Sequence, residues 1–226
     1  MKTKTLITTV AVAGALIAGA TTVKANAELE LISGSSVVLV SPAADYVPYS
    51  ESVGQWNITV TFGAANLGGP GGVDIDVDSG DTALGYTPPL SPLTVLYTAG
   101  LFNAEGEVVG TIGGTTTTSV TDSQWLGATP FALTTLLNSQ GTYYASAVGV
   151  PTSFSGTATG STGLTGPYWL TEDVVIGGTT AAGFVQNTTF DANSRIVPDG
   201  GTTMVLLGSA LACLGAIRSR CGSKRA

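Results

Sequence analysis

Histidine is absent from the 226 residues, lysine is absent between Lys24 and Lys224, and the two cysteines, Cys213 and Cys221, both stand near the C-terminus. Each gap removes a class of chemistry. Without His there is no Ser-His or Cys-His nucleophile pair, and a body lacking both His and Cys has no ligands for the common zinc sites. No disulfide can staple the middle of the chain, so an exported body has to hold itself together by packing or by bound cations. Charge is scarce as well, at 10% of residues, and residues 28–197 carry fourteen Asp or Glu against Arg195 alone. Such a body offers no positive groove to nucleic acid and is repelled by anionic lipid, but it is compatible with cations, neutral glycans and protein partners. There is no G-x-S-x-G elbow, and "GGPGG" (68–72) is followed by neither a Lys nor a helical pattern, which removes a phosphate loop.

What is present is concentrated at the two ends. Lys2 and Lys4 precede an apolar core from Leu6 to Ala20, and Ala25-Asn26-Ala27 places small residues where signal peptidase cuts. Residues 1–27 are therefore expected to be a signal peptide cleaved after Ala27, the other reading being an uncleaved N-terminal anchor. At the far end Val197-Pro198-Asp199-Gly200-Gly201 leads into an apolar run, Thr202 to Ile217, and a basic tail, 218–226. As a helix that run is about 24 Å long, somewhat short of a ~30 Å hydrocarbon core, and a start nearer Val197 supplies the difference. A buried C-terminal helix is the alternative. The basic tail belongs on the cytoplasmic side, which puts the body across the membrane. Pro198 fixes its own φ and biases Val197 towards an extended form, so the segment is expected to lie clear of the body's sheets, where a protease can reach it.

This ending resembles the PEP-CTERM class of bacterial sorting signals, and most closely its VPDSG variant. The resemblance rests on Val197, Pro198, Asp199, Gly200 and Gly201, the apolar helix after them, and Arg218 and Arg220 behind it. Gly200 stands where serine is usual, and the polar end continues beyond Arg220. Membership implies recognition by an exosortase, a membrane cysteine protease-transpeptidase, after signal peptidase has acted. It also implies a membrane-anchored precursor destined for the cell surface or extracellular matrix, where such carriers are often tied to exopolysaccharide. The resemblance covers about the last thirty residues and concerns address, not the work of the body.

Between the ends the chain alternates short β-prone runs with Gly, Pro and Ser. The runs are 36–40, 55–62, 72–78, 93–99, 107–112, 131–137, 142–150, 153–160, 168–177 and 183–190. In "QWNITVTF", Trp56, Ile58, Val60 and Phe62 share one face and Asn57, Thr59 and Thr61 the other, which is a half-buried antiparallel strand. The expected fold is all-β: one antiparallel β-sandwich or jelly-roll-like domain over 28–196, followed by one C-terminal transmembrane helix. Residues 130–141 read either as strand or as one short helix. The stretch 66–92 is expected to be a long loop or a poorly covered hairpin.

Few residues of the body point to chemistry. Asp74, Asp76 and Asp78 recur at period two on one strand face, with Asp81 following, and hard oxygen ligands suit Ca²⁺. Ser79 and Gly85 occupy the positions where an EF-hand loop needs Gly and Glu, so any calcium binding would be weak and of another kind. The competing reading is a solvated edge strand whose charges block aggregation. Glu105 with Glu107, and Glu172 with Asp173, have the composition of a glycosidase pair but lack the cationic side chains such clefts present, and read as ordinary turn and strand-face acids. Trp125 and Trp169 are candidates for stacking on glycan, against core packing for both; Trp56 belongs to the core by its alternation. The residues taken together point to an exported, non-enzymatic surface or matrix protein. A polysaccharide-binding module is the alternative and a glycoside hydrolase a remote one.

Overall fold

A computed structural model describes residues 26–41, 46–66, 73–83, 89–102, 106–147, 149–163, 167–178, 186–198, 207–209 and 211–212. Its strands are β1 (Asn26–Ser33), β2 (Ser36–Val40), β3 (Tyr46–Val53), β4 (Trp56–Asn66), β5 (Val73–Ala83), β6 (Leu93–Phe102), β7 (Gly106–Thr116), β8 (Ser119–Gly127), β9 (Thr135–Tyr144), β10 (Thr152–Ser161), β11 (Tyr168–Ile176) and β12 (Gln186–Pro198). They form two six-stranded sheets, ordered β2-β1-β6-β11-β8-β9 and β10-β7-β12-β5-β4-β3. Every pairing is antiparallel.

One hydrophobic core draws on both sheets, for the reason the alternation suggests: each inner face collects every second residue of its strands. Trp56, Ile58, Val60 and Phe62 of β4 are all buried, while Asn57 and Thr59 between them are exposed. Phe62 meets Tyr97 of β6 edge-on across the interior, ring centroids 5.4 Å apart. The hairpins β1–β2 and β3–β4 close through two-residue turns that begin at Gly34 and Gly54, both at φ 59°. That left-handed start fits the strand twist and costs a glycine little. Along one side, edge strand β10 comes up against edge strand β9. A Cβ at Gly160 would overlap the Leu137 carbonyl, and Phe154 stacks on Tyr143 at 5.1 Å.

Several expectations need correction. Residues 73–83 form β5, paired on both sides with β4 and β12, so "DIDVD" lies in an interior strand. Neither the loop reading of 66–92 nor the edge-strand explanation of its acids holds for that segment. Residues 130–141 are not helical: Phe131 takes φ 56° in a turn and β9 begins only at Thr135. Register shifts against β8 let β9 run on through "NSQG", with Gly141 at φ 79°. The expectation that the segment beginning at Val197 lies clear of the body's sheets fails for its first two residues. β12 continues through Val197 and Pro198, which pair with Glu107 and Gly106 of β7. A proline is tolerated there because the strand ends with it and needs no further N–H from it. Among the described residues no helix is long and apolar enough to cross a membrane. Of the segment 202–217 only residues 207–209 and 211–212 are described; they are helical and exposed.

The pairing also sorts the two ends of the molecule. Asn26 pairs with Gly100, β6 stops at Phe102, and only 103–105 separate it from Gly106, the partner of Pro198. The four Cα–Cα steps from Phe102 to Gly106 reach about 14 Å at most, so the start of β1 and the end of β12 lie at the same end. Ser119, Tyr144, Ile176 and Gln186 mark the opposite one.

Candidate functional site

The densest polar cluster lies between the sheets. On β8 the inward phase runs Val120, Asp122, Gln124, Leu126, and on β11 it runs Leu170, Glu172, Val174, Ile176; all eight are buried. Period two thus carries an acid and an amide on β8, and an acid on β11, straight into the core. Gln124 Nε2 donates to Asp122 Oδ1 and Oδ2 at 3.0 and 2.9 Å, and to Glu172 Oε1 at 2.9 Å. Gln140 Nε2, from β9, donates to Asp122 Oδ2 at 2.6 Å. From the facing sheet, Ser194 Oγ of β12 donates to Glu172 Oε2 at 2.7 Å. Two glycines make the room. A Cβ at Gly110 of β7 would come within 2.3 Å of Gln124 Oε1, and one at Gly156 of β10 would overlap the Tyr143 hydroxyl and Gln140 Oε1.

No Lys or Arg takes part in these hydrogen bonds. Burial is therefore the largest cause acting on the protonation. It pushes the Asp122 carboxyl up to about 6, against the pull of hydrogen bonds from Gln124, Glu172 and Gln140. Glu172 is driven well above the usual carboxylate range, by burial first and the Asp122 charge second. The proximity of the two carboxyls lowers Asp122 and raises Glu172, so Glu172 is the one held further above the usual carboxylate range. Being fully buried, the pair offers no atom to a substrate; it is an internal bridge between the sheets.

The residues singled out from sequence fall elsewhere. Glu172 and Asp173 point to opposite faces and make no pair, Glu107 is exposed, and Glu105 lies outside the described residues. On the outer face of the first sheet, burial raises Asp173 to about 6, eased by the Trp125 indole beside it. That indole approaches the carboxylate without forming a well-directed hydrogen bond. Trp169 is 7% exposed and its ring lies flat on Gly100, where a Cβ would fall 2.0 Å from Cδ2, so it packs against the sheet. The side chains of Asp74, Asp76, Asp78 and Asp81 lie outside the described residues. Their backbone register pairs the first three with Arg195, Asn193 and Asp191, and Asp81 with the buried Thr188, one step out of phase. Among the described residues no three potential metal ligands gather. Sequence reading missed Asp122, Gln124, Gln140 and Ser194. The available signal was a polar residue at the core phase of a strand otherwise flanked by Val and Leu.

The remaining feature is the exit of the chain. β12 carries Phe190, Ala192, Ser194 and Ile196 into the core and then delivers Val197 and Pro198 at the end of the body where β1 begins. Residues 197–221 match the VPDSG-CTERM motif. The chain carries a VPDSG-CTERM sorting signal. No curated protein and no solved structure shows significant similarity to it. The VPDSG-CTERM motif makes this an exported surface protein that passes through a membrane-anchored precursor. The motif implies processing by signal peptidase and exosortase systems. Of its 25 matched residues, the described ones are the last two of β12 and the short helical pieces at 207–209 and 211–212.

Proposed function

We propose that the protein is a β-sandwich held upright on the outer face of the cytoplasmic membrane and then cut from its C-terminal segment for delivery to the surface or matrix. The observation that carries this reading is the unbroken run of β12 from the core into the sorting motif. Only Asp199, Gly200 and Gly201 separate the end of β12 from the apolar run that begins at Thr202. The four Cα–Cα steps from Pro198 to Thr202 span at most about 14 Å, so a transmembrane helix over 202–217 holds the body against the bilayer. Arg218 and Arg220 fix the orientation, each costly to drag through lipid. Val197 and Pro198 are engaged in the sheet, which leaves the peptide bonds after Pro198 as those an exosortase can reach without unzipping β12. The acidic body is repelled by anionic headgroups, favouring release once the bond is cut.

Replacing Pro198 and Asp199 together should leave insertion intact and trap a longer, membrane-held form. Mass spectrometry of the surface-exposed protein is expected to find a wild-type C-terminus between Pro198 and Thr202. A mature wild-type chain ending at Ala226 would establish a permanent anchor instead.

The other end of the mature chain is set by Ala25 and Ala27. Cleavage after Ala27 removes Asn26 and Ala27 from β1 but keeps Leu29 and Leu31, both fully buried, so the strand retains its core contacts. N-terminal sequencing of the exported protein should begin at Glu28; Met1 as the first residue would mean that the segment is retained as an anchor.

A further inference from the structure

Each six-stranded sheet leaves a strand at either rim, and all of these rim strands but one are guarded. β9 and β10 come up against each other, with the Gly160 backbone close on the Leu137 carbonyl and Phe154 stacked on Tyr143. β3 carries Pro48 and Glu51, both exposed, and a proline or a charge on an edge resists an added strand. β2, "SVVLV", has neither. From Ile32 to Ala44 the chain holds no charged residue at all, in a body that is otherwise acidic. Val37 and Leu39 are 58% and 57% exposed on the outer face of β2. Val38 and Val40 turn inward onto the core yet stay only partly buried, as expected where a sheet ends.

The hydrogen-bond phase of β2 follows from its turn. Ser33 and Ser36 flank the two-residue loop and so form a bonded pair, after which non-bonded and bonded pairs alternate. Val38 and Val40 therefore bond to Leu31 and Leu29 of β1, while Val37 and Leu39 direct their N–H and C=O groups at the open edge. That edge is complementary to itself. A two-fold axis through Val38, normal to the sheet, brings Val37 opposite the partner's Leu39 and Leu39 opposite the partner's Val37. Each pair then exchanges both N–H···O bonds, and the exposed apolar side chains of the two copies lie side by side on one face. We propose that β2 pairs antiparallel with β2 of a second copy, joining the two sheets into one. Charge favours this contact over any other between two such acidic bodies. The nearest carboxylate, Glu30 of β1, is three strand spacings from its counterpart, about 14 Å, beyond the ~8 Å screening length at physiological salt. The contact is small, so the association belongs to the weak, transient class. The two sorting ends then point in opposite directions, which suits the released protein rather than precursors standing side by side on one membrane. That last point rests on the sorting reading; the pairing does not.

Sedimentation equilibrium of the purified full chain in mild detergent, where no bilayer fixes orientation, tests it up to about 1 mM, the range of a weak contact. The mass should rise with concentration from monomer towards dimer. V37K with L39K sets like charges opposite each other and should weaken association roughly tenfold or more, with melting unchanged at these exposed positions. V37E with L39K sets opposite charges across both pairs and should restore association in a salt-sensitive form. Backbone amide exchange in the wild type should slow with concentration at Val37 and Leu39 and stay unchanged at Val38 and Val40. That readout needs no substitution, and it decides should a variant fail to fold. A monomer throughout the range, undiminished association in folded V37K/L39K, or exchange indifferent to concentration overturns the proposal. Association lost in folded V37E/L39K as well overturns the antiparallel register. None of these outcomes depends on C-terminal cleavage, so failure leaves the sorting reading untouched.

Discussion

The thermal midpoint of this protein should fall as pH rises from about 4.5 to 7.5, the reverse of a fold held by salt-bridged carboxylates. Asp122 and Asp173 are raised to about 6 by burial, and Glu172 is raised further. Unfolded, all three titrate near 4. Below that pH they are protonated in both states, and the folded form has its full stability. Above it the unfolded chain releases protons that the folded chain keeps, so stability drains away until the folded pKa values are passed. Shifts of this size correspond to a fall in melting temperature on the order of 10–20 °C across the window. Glu172→Gln should flatten the profile and stabilise the protein at pH 7.5, because a carboxamide never ionises, its oxygen can still accept from Gln124 Nε2, and its amide can donate to the Ser194 hydroxyl and to Asp122. Glu172→Ala should cost on the order of 3–5 kcal/mol at either pH, since it strands Gln124 and Ser194 in the core and leaves a cavity. Calorimetric scans of the three proteins at both pH values provide the check. A wild-type midpoint that rises with pH would show that the cluster is ionised and compensated by a cation.

The second large effect is expected at Trp56. Its side chain is fully buried on β4, and its Nε1 donates to the Ser91 carbonyl at 3.0 Å, just ahead of β6. One residue thus fills the core from the second sheet and ties down the chain leading into the first. Trp56→Ala should cost about 3–5 kcal/mol, a large part of the 5–15 kcal/mol that holds a typical domain. Trp56→Phe retains most of the packing but leaves the Ser91 carbonyl unpaired, and should cost about 1–2 kcal/mol. Denaturant unfolding followed by circular dichroism separates the two; equal losses would mean that the hydrogen bond, not the volume, dominates.

Much of the strand content was legible because period-two alternation is a local property. Ser36–Val40 and the inward row of Trp56, Ile58, Val60 and Phe62 lie where the pattern puts them. The strands that escaped notice have weaker contrast. β1 alternates Glu with Leu beside a cleavage site, β3 holds Pro48, and β8 carries Asp122 and Gln124 at core positions. The run 72–78 reads as β-prone inside a glycine-rich stretch, and only the presence of β4 and β12 on either side makes β5 an interior strand. Local pattern cannot show which strands become neighbours.

The sequence by itself determined the address: a charged start, an A-x-A site, and a VPDGG–apolar–basic end are read linearly by enzymes that meet the chain as extended peptide. It also determined the all-β character and the absence of His and Cys from residues 28–196. The tertiary structure alone decided that Asp122 and Glu172, fifty residues apart in the chain, lie together in the core with both carboxyls raised by burial, and that Ser194 reaches Glu172 from the other sheet. It likewise decided that Val197 and Pro198 belong to the body, and that β2 is left at the rim of its sheet. The reason is one of range. A peptide signal acts through neighbours along the chain, whereas burial, with the pKa shifts that follow from it, depends on residues that only the packing of two sheets brings together.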